Sequence, residues 1–403
     1  MTAGGKPLRR RAQRLVARGF APPPEPEAPV TVLLRDPADG TWSRLSEREL
    51  AAALPRVSPH GLAALCPSYV GRCGLAEHLE VAGHVLDQLA GLRRAHPRLP
   101  LVLFFGMQWQ AGEEEEATRR LARIGEAARE RVPGLVYVGL SLPGPGKVRT
   151  TNAAIRAAAP LRPAGWLWLD DDVRMEPGCV ARLVDRFEER GRTGAVGAAK
   201  VALATRGRAS RVLRRIGLTT APRRNYPSAC CMLVAAGVVA GGIPTRLGAD
   251  DAYVLFELLD PAAADPFHAL EVLPEARCLF VHGASWGMAV RRLRSTLFSH
   301  LMHMADYPWP TARVYFEETL FHGLWPLAPW DGRRGPVGGT LRWAVKAIHF
   351  SWFAAAGSAL LVRGLLGRPL LRAPWADTSD HLVPPRPPTP STSFPMAVTE
   401  LEG

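Results

Sequence analysis

The chain has 403 residues, 47% of them hydrophobic and 22% charged, ordinary globular usage that excludes a wholly disordered, collagen-like or multi-span membrane protein. Fifty Lys and Arg against 37 Asp and Glu leave a formal charge of +13, which favours an anionic partner such as a lipid surface or a nucleic acid. The cysteines, Cys66, Cys73, Cys179, Cys230, Cys231 and Cys278, are too few and too irregular for a disulfide scaffold and form no CxxC knuckle. With a basic N-terminus that has no apolar run behind it, they set the expectation of a cytoplasmic protein without a secretory signal.

In chain order, Met1 to Phe20 hold Lys6, Arg9, Arg10, Arg11, Arg14 and Arg18 with no acid, and the following APPPEPEAPV is a Pro/Glu linker. Residues 1–59 are therefore assigned to a basic, Pro-rich arm and linker, with folding expected to begin after it. GLAALCPSYV from Gly61 predicts a buried strand closed by Pro67, and AEHLEVAGHVLDQLAGLRRA from Ala76 a helix. Leu99 to Phe105 predict a second strand, Glu113 to Arg131 a helix, GLVYVGLSL a third strand, Lys147 to Ala159 a helix ended by Pro160, and AGWLWL a fourth strand. This alternation implies an α/β fold with a mainly parallel central sheet, which binds ligands beyond the carboxyl ends of its strands.

The main domain is placed at residues 60–304. Its second half holds an apolar strand or buried helix at Cys230 to Val239, a helix begun by LGADDAYVLFELL, a short strand LFVHGASW and a basic helix from Arg291 to Met304. Residues 305–375 read as a C-terminal helical extension. Within it, Leu341 to Leu366 is apolar but interrupted by Arg342, Lys346, His349 and Arg363, so it reads as an interfacial or core helix rather than a span. The Pro/Ser/Thr-rich residues 376–403 are expected to be disordered.

Three motifs carry chemistry. WLWLDDDV puts Asp170, Asp171 and Asp172 at the end of a buried strand. Adjacent carboxylates repel one another, and a cation relieves them; hard oxygen ligands suit Mg²⁺ or Mn²⁺, which also take a substrate phosphate. Alternation points Asp170 and Asp172 to one side. A solvated acidic turn is the plainer alternative. GPGKVRTTNAAIRAA is not a Walker loop, because Val148 follows Lys147 where Ser or Thr belongs, but a Gly-rich turn feeding a helix N-terminus can hold an anion. In GADDAYVL, Asp250 and Asp251 enter a helix, where acids complement the dipole and one of them could act as a general base. His282 reads as a core residue. The run Arg206 to Arg224 reads as a solvated basic face that could also meet a diphosphate or lipid.

Taken in order, Pro67-Ser68-Tyr69, Gly146-Lys147 with Asn152, Asp170 to Asp172, Asp250-Asp251 and Arg291-Arg292-Leu293-Arg294-Ser295 resemble the motif series of family 2 glycosyltransferases of the GT-A fold. That resemblance, spanning roughly Leu62 to Ser299, implies a metal-dependent enzyme moving a single sugar from a nucleotide-sugar donor to a hydroxyl acceptor (a glycan, a lipid or a small molecule), with inversion. Pro67, Tyr69, Lys147, Asp170 and Asp171 would bind the nucleotide-sugar, Asp170 and Asp172 the metal, Asp251 with Asp250 would supply the base, and Arg291 and Arg294 would contact acceptor or diphosphate. The resemblance also allows His282 as a late metal ligand. The sequence departs from the family where acids following the second strand recognise the base: only Gln108 and Trp109 stand there. The family's Gln and Trp of the last motif have become Arg291 and Ser295, which favours single-sugar transfer. A nucleotidyltransferase on a similar sheet and a basic nucleic-acid-binding protein are the rival readings, although no specific nucleic-acid motif is present. The basic arm adds the expectation of a peripheral position on an anionic inner membrane face.

Overall fold

The computed structural model describes residues 30–35, 41–53, 61–144, 146–203, 226–245, 249–281 and 299–321, with scattered positions between 340 and 366. In chain order these form β1 (Thr31–Arg35), β2 (Trp42–Leu45), α1 (Glu47–Ala53), β3 (Leu62–Tyr69), a 3-10 turn (Val70–Arg72), α2 (Leu75–Ala95), β4 (Leu101–Trp109), α3 (Glu114–Arg131), β5 (Val136–Pro143) and α4 (Lys147–Ala158). There follow β6 (Gly165–Leu169), β7 (Arg174–Met175), α5 (Cys179–Glu189), β8 (Ala195–Leu203), β9 (Cys231–Ala235), α6 (Asp250–Leu258), β10 (Leu270–Val281), helical residues 299–306 and α7 (Trp309–Val314), which runs on as a π-helix over Tyr315–Phe321.

The described strands make one ten-stranded sheet, ordered β2-β1-β5-β4-β3-β6-β9-β8-β10-β7. Its centre, β5-β4-β3-β6, is parallel, as strand–helix alternation demands. The sheet as a whole is mixed, which corrects the expectation of a mainly parallel one. The link from β1 to β2 is too short for a crossover, so that pair is a hairpin, and β1 also lies antiparallel to β5. β9 runs against both β6 and β8, and β7 against β10. A second correction concerns Pro67, which does not close β3 but lies inside it. Beyond Leu65 the ladder to β6 has ended and β4 is the only strand partner, so the missing N–H is tolerated.

Alternation along the strands sorts side chains into two cores. Leu62, Ala64 and Cys66 of β3, Leu103 and Phe105 of β4, and Leu167 and Leu169 of β6 pack under α2, α3 and α5. Ala63 and Leu65, Val102 and Phe104, and Trp166 and Trp168 pack against α4 and α6 on the opposite face. The α4 face is tightly built: a Cβ at Gly106 would stand 1.9 Å from Thr150 Cγ2, so the helix sits where only glycine allows it.

Both ends of the domain extend beyond their expected limits. Residues 31–53, read from sequence as arm and linker, supply two strands and α1, with Val32 and Leu50 fully buried. On the other side of the domain, Phe256 of α6 stacks on His303 and Tyr307 with ring centroids 5.4 and 4.8 Å apart, and Tyr315 is buried in the same core. Residues from 305 to 315 thus belong to the α/β domain. The basic arm 1–29, the run 206–224, His282, Arg291, Arg294 and the tail 376–403 lie outside the described residues.

Candidate active site

Asp170 follows Leu169 at the carboxyl end of β6, and its backbone N–H donates to Cys230 O at 2.9 Å, fixing the strand end to the start of β9. The parity of β6 then decides where each aspartate goes. Asp170 shares the parity of Trp166 and Trp168 and faces α4 and α6, whereas Asp171 shares that of Leu167 and Leu169 and faces α2 and α3.

On the α4 face, Lys147 on the first turn of α4 meets Asp170 Oδ1 at 2.6 Å and Asp250 Oδ2 at 3.1 Å. One ammonium therefore joins three motifs that are far apart in the chain. Burial opposes the Lys147 charge, but Asp170 and Asp250 outweigh it and hold its pKa well above the usual lysine value. Burial raises the Asp170 carboxyl; Lys147 pulls it back down, while Asp172 and Asp250 push it up. Two carboxylates facing one another here would repel, and the lysine is what allows both to be held close.

Lys147 is placed by the turn before it. Gly146 has φ +141°, a conformation that side-chain-bearing residues avoid. Gln108 holds that glycine on both sides, its Nε2 donating to Gly146 O at 2.7 Å and its Oε1 accepting from Gly146 N at 2.9 Å, while Nε2 also reaches Thr150 Oγ1 at 2.6 Å. Gln108, one of two residues left by sequence to meet a base, is thus spent on the turn, and Trp109 Nε1 donates to Ser141 Oγ at 2.9 Å. Asn152 grips the backbone of Ile243 by two bonds of 2.7 Å, anchoring α4 to the loop before α6.

Asp250 is buried, and its Oδ1 accepts the Asp251 N–H at 3.1 Å. Asp251 is half-buried and its Oδ1 accepts from Ala252 N at 2.8 Å. Burial and then the Asp250 charge raise the Asp251 carboxyl to about 6, against the opposing pull of Lys147 and Lys200. Lys200, on β8, is a site residue that no motif announced. His303 Nε2 donates to Ala249 O at 3.1 Å, so the C-terminal helical layer also fixes the start of α6.

Pro67 is buried and Tyr69 half-buried at the end of β3, on the parity of Ala63 and Leu65 and so on the α4 face. Asp171 is brought elsewhere: one carboxylate oxygen accepts from Ser68 Oγ at 2.6 Å, and the other takes the guanidinium of Arg72. Among the described residues no group of three or more His, Cys, Asp or Glu side chains is arranged to hold a metal ion. Asp170, its carboxyl pushed up by burial and by the neighbouring Asp172 charge, is a carboxylate whose repulsion a cation would relieve.

No protein-family model matches the chain, and no curated protein does. Among solved structures it is similar to S. aureus TarS 1–349 in complex with UDP-GlcNAc, at 11% identity over 77% of this chain and 88% of that one, with a TM-score of 0.40. It is similar also to a second structure of S. aureus TarS 1–349, at 12% identity, 77% and 88% coverage and a TM-score of 0.38. A mycobacterial protein matches at 14% identity over 69% of this chain and 82% of that one, with a TM-score of 0.33. Scores and identities this low assign the chain neither a family nor an activity.

Proposed function

We propose that the protein is a metal-dependent glycosyltransferase that moves one sugar from a nucleotide-sugar donor to a hydroxyl acceptor with inversion. The observation that carries this reading is the double ion pair of Lys147 with Asp170 and Asp250 at the carboxyl end of β6. It brings together, in one mouth of an α/β sheet, three of the five motifs on which the resemblance to family 2 rests.

In this reading Asp170 and Asp172 would hold a divalent cation, which when bound would supply positive charge to neutralise a departing diphosphate. Lys147, held by Asp170 and Asp250, adds a fixed ammonium to the same site. Pro67 and Tyr69 flank the nucleotide. Asp251 accepts the acceptor's hydroxyl proton while the acceptor oxygen bonds to the anomeric carbon and the bond to the diphosphate breaks. A carboxyl near 6 is suited to that task, since it is largely ionised at neutral pH yet basic enough to take a proton.

The test is incubation of the full chain with a panel of nucleotide sugars, Mn²⁺ and mixed hydroxyl acceptors. Release of nucleoside diphosphate together with sugar-bearing acceptor is expected. Release of pyrophosphate would replace this reading with a nucleotidyltransferase. If no nucleotide sugar reacts or raises the melting temperature, the reading is wrong.

We further propose peripheral attachment to an anionic membrane. Trp309, Trp343, Ile348, Val362 and Leu366 are the exposed large hydrophobic side chains of the described residues, all in the C-terminal part, and no described helix is long and apolar enough to cross a membrane. Arg342, Lys346 and Arg363 lie among them in sequence. Apolar contact and basic charge together give attachment that weakens with salt. Full-length protein should float with phosphatidylserine-containing vesicles at low salt and be released at high salt; protein left in the soluble fraction at low salt would refute the attachment.

A further inference from the structure

On the α2 face, a second set of polar side chains is buried without touching the chemistry proposed above. Ser68, His78, Arg120 and Asp171 are each less than 10% exposed, His78 completely enclosed. They form one continuous chain. Arg120 Nη1 lies 2.6 Å from His78 Nδ1, His78 Nε2 lies 2.6 Å from Ser68 Oγ, and Ser68 Oγ lies 2.6 Å from Asp171 Oδ2. The other oxygen of Asp171 takes Arg72.

The direction of every bond follows from what each group can do. A guanidinium only donates, so His78 Nδ1 must be the bare, accepting nitrogen. The neutral ring then carries its proton on Nε2 and donates to Ser68, whose own hydrogen goes to Asp171. Burial, reinforced by Arg120 and Arg72, pushes His78 down to about 3, which keeps the ring neutral and the order of donors intact at ordinary pH. The chain also closes on itself. Arg120 Nη1 donates to Val70 O at 3.0 Å and Cys73 O at 2.7 Å, and so pins the turn that carries Arg72.

We infer that this ring of Arg120, His78, Ser68, Asp171 and Arg72 is a positioning device for the acidic strand end, holding Asp171 to the α2 face so that Asp170 and Asp172 are presented to the α4 face. The inference rests on the reading of Asp170 and Asp172 as the cation and diphosphate site. Buried ionic and polar groups stabilise little compared with apolar side chains of equal volume. What this ring supplies is orientation, as the outer partners of metal-binding carboxylates do elsewhere.

The experiment is calorimetric titration of the full chain with Mn²⁺ and a panel of nucleoside diphosphates, for wild type, Ser68→Ala, His78→Leu and His78→Gln. If wild type binds none of them, the diphosphate reading itself fails, before any variant is compared. Given binding, Ser68→Ala and His78→Leu should weaken it by about 10- to 100-fold. His78→Gln, whose amide N–H can stand in for Nε2, should recover most of it. Unchanged binding in Ser68→Ala and His78→Leu, with only a lower melting temperature, would make the ring merely structural and overturn the inference. Nitrogen-15 NMR of wild-type His78 tests it without any variant having to fold: a neutral ring protonated on Nε2 is expected, and a proton on Nδ1 would break the chain and overturn the inference as well.

Discussion

Asp251→Asn is expected to slow sugar transfer by roughly a hundredfold or more, the usual loss when a general base is removed, with donor binding almost unchanged. The donor is held by Lys147, Asp170 and Asp172 in the proposed site, whereas Asp251 meets only the acceptor. The pH profile gives the sharper reading. With its carboxyl raised to about 6, Asp251 is ionised above that pH and protonated below it, so kcat/KM of the wild type should fall on the acid side of about pH 6. The variant should lack that limb. Stability should move the other way: a carboxyl whose folded pKa lies above its unfolded value carries a penalty above pH 6 that is relieved as pH falls through 6. Asp251→Asn should therefore melt slightly higher than wild type at pH 7 to 8. Asp250→Asn should slow transfer less, because Asp250 acts through Lys147 and the Asp251 backbone. The reverse order of the two variants would move the base by one residue, and full activity in both would remove it from α6.

Asp172→Asn should abolish most activity while leaving the fold intact. Asp170 is shared with Lys147 and Asp171 with Arg72 and Ser68, so Asp172 supplies the carboxylate least committed to a described partner. Charge stabilisation by a bound cation contributes several kcal/mol at a departing diphosphate, and about 1.4 kcal/mol is tenfold in rate, so a loss of roughly a hundredfold or more is expected. Removing this charge also removes one source of repulsion on Asp170, so the melting temperature should hold or rise. Mn²⁺ titration should show the lost affinity directly. Activity equal to wild type in the presence of a chelator would dismiss the cation from this mechanism.

Much of this site was legible because it depends on local rules. WLWLDDDV announces a strand end, and period-two alternation separates Asp171 from Asp170 before any coordinates are known. The central strands and the helices between them announce themselves by apolar period. The rest depends on meetings between distant residues. His78 and Arg120 carry no motif, Ser68 stands in one only as the residue between Pro67 and Tyr69, and nothing within ten residues of Asp171 indicates Arg72 or Ser68 as its partners. Lys200 looks like any strand lysine. Thr31 to Arg35 is a short strand beside a proline-rich stretch, and the linker's composition hides it. The direction of β9 is set by where its connection lands, which no local pattern encodes.

The seating of β1 has a consequence for how this chain is made. Val32 pairs with Leu45 of the neighbouring β2 on one side and with Leu140 on the other, so the second edge of β1 is covered only by a strand encoded far downstream. At about 5–20 residues per second the ribosome needs on the order of ten seconds to cover that interval. During that time the segment Val32 to Leu34, buried in the finished domain, emerges with one hydrogen-bonding edge and its apolar side chains exposed to solvent and to other nascent chains. This exposed interval comes early in biosynthesis, and it ends only when β5 has left the exit tunnel.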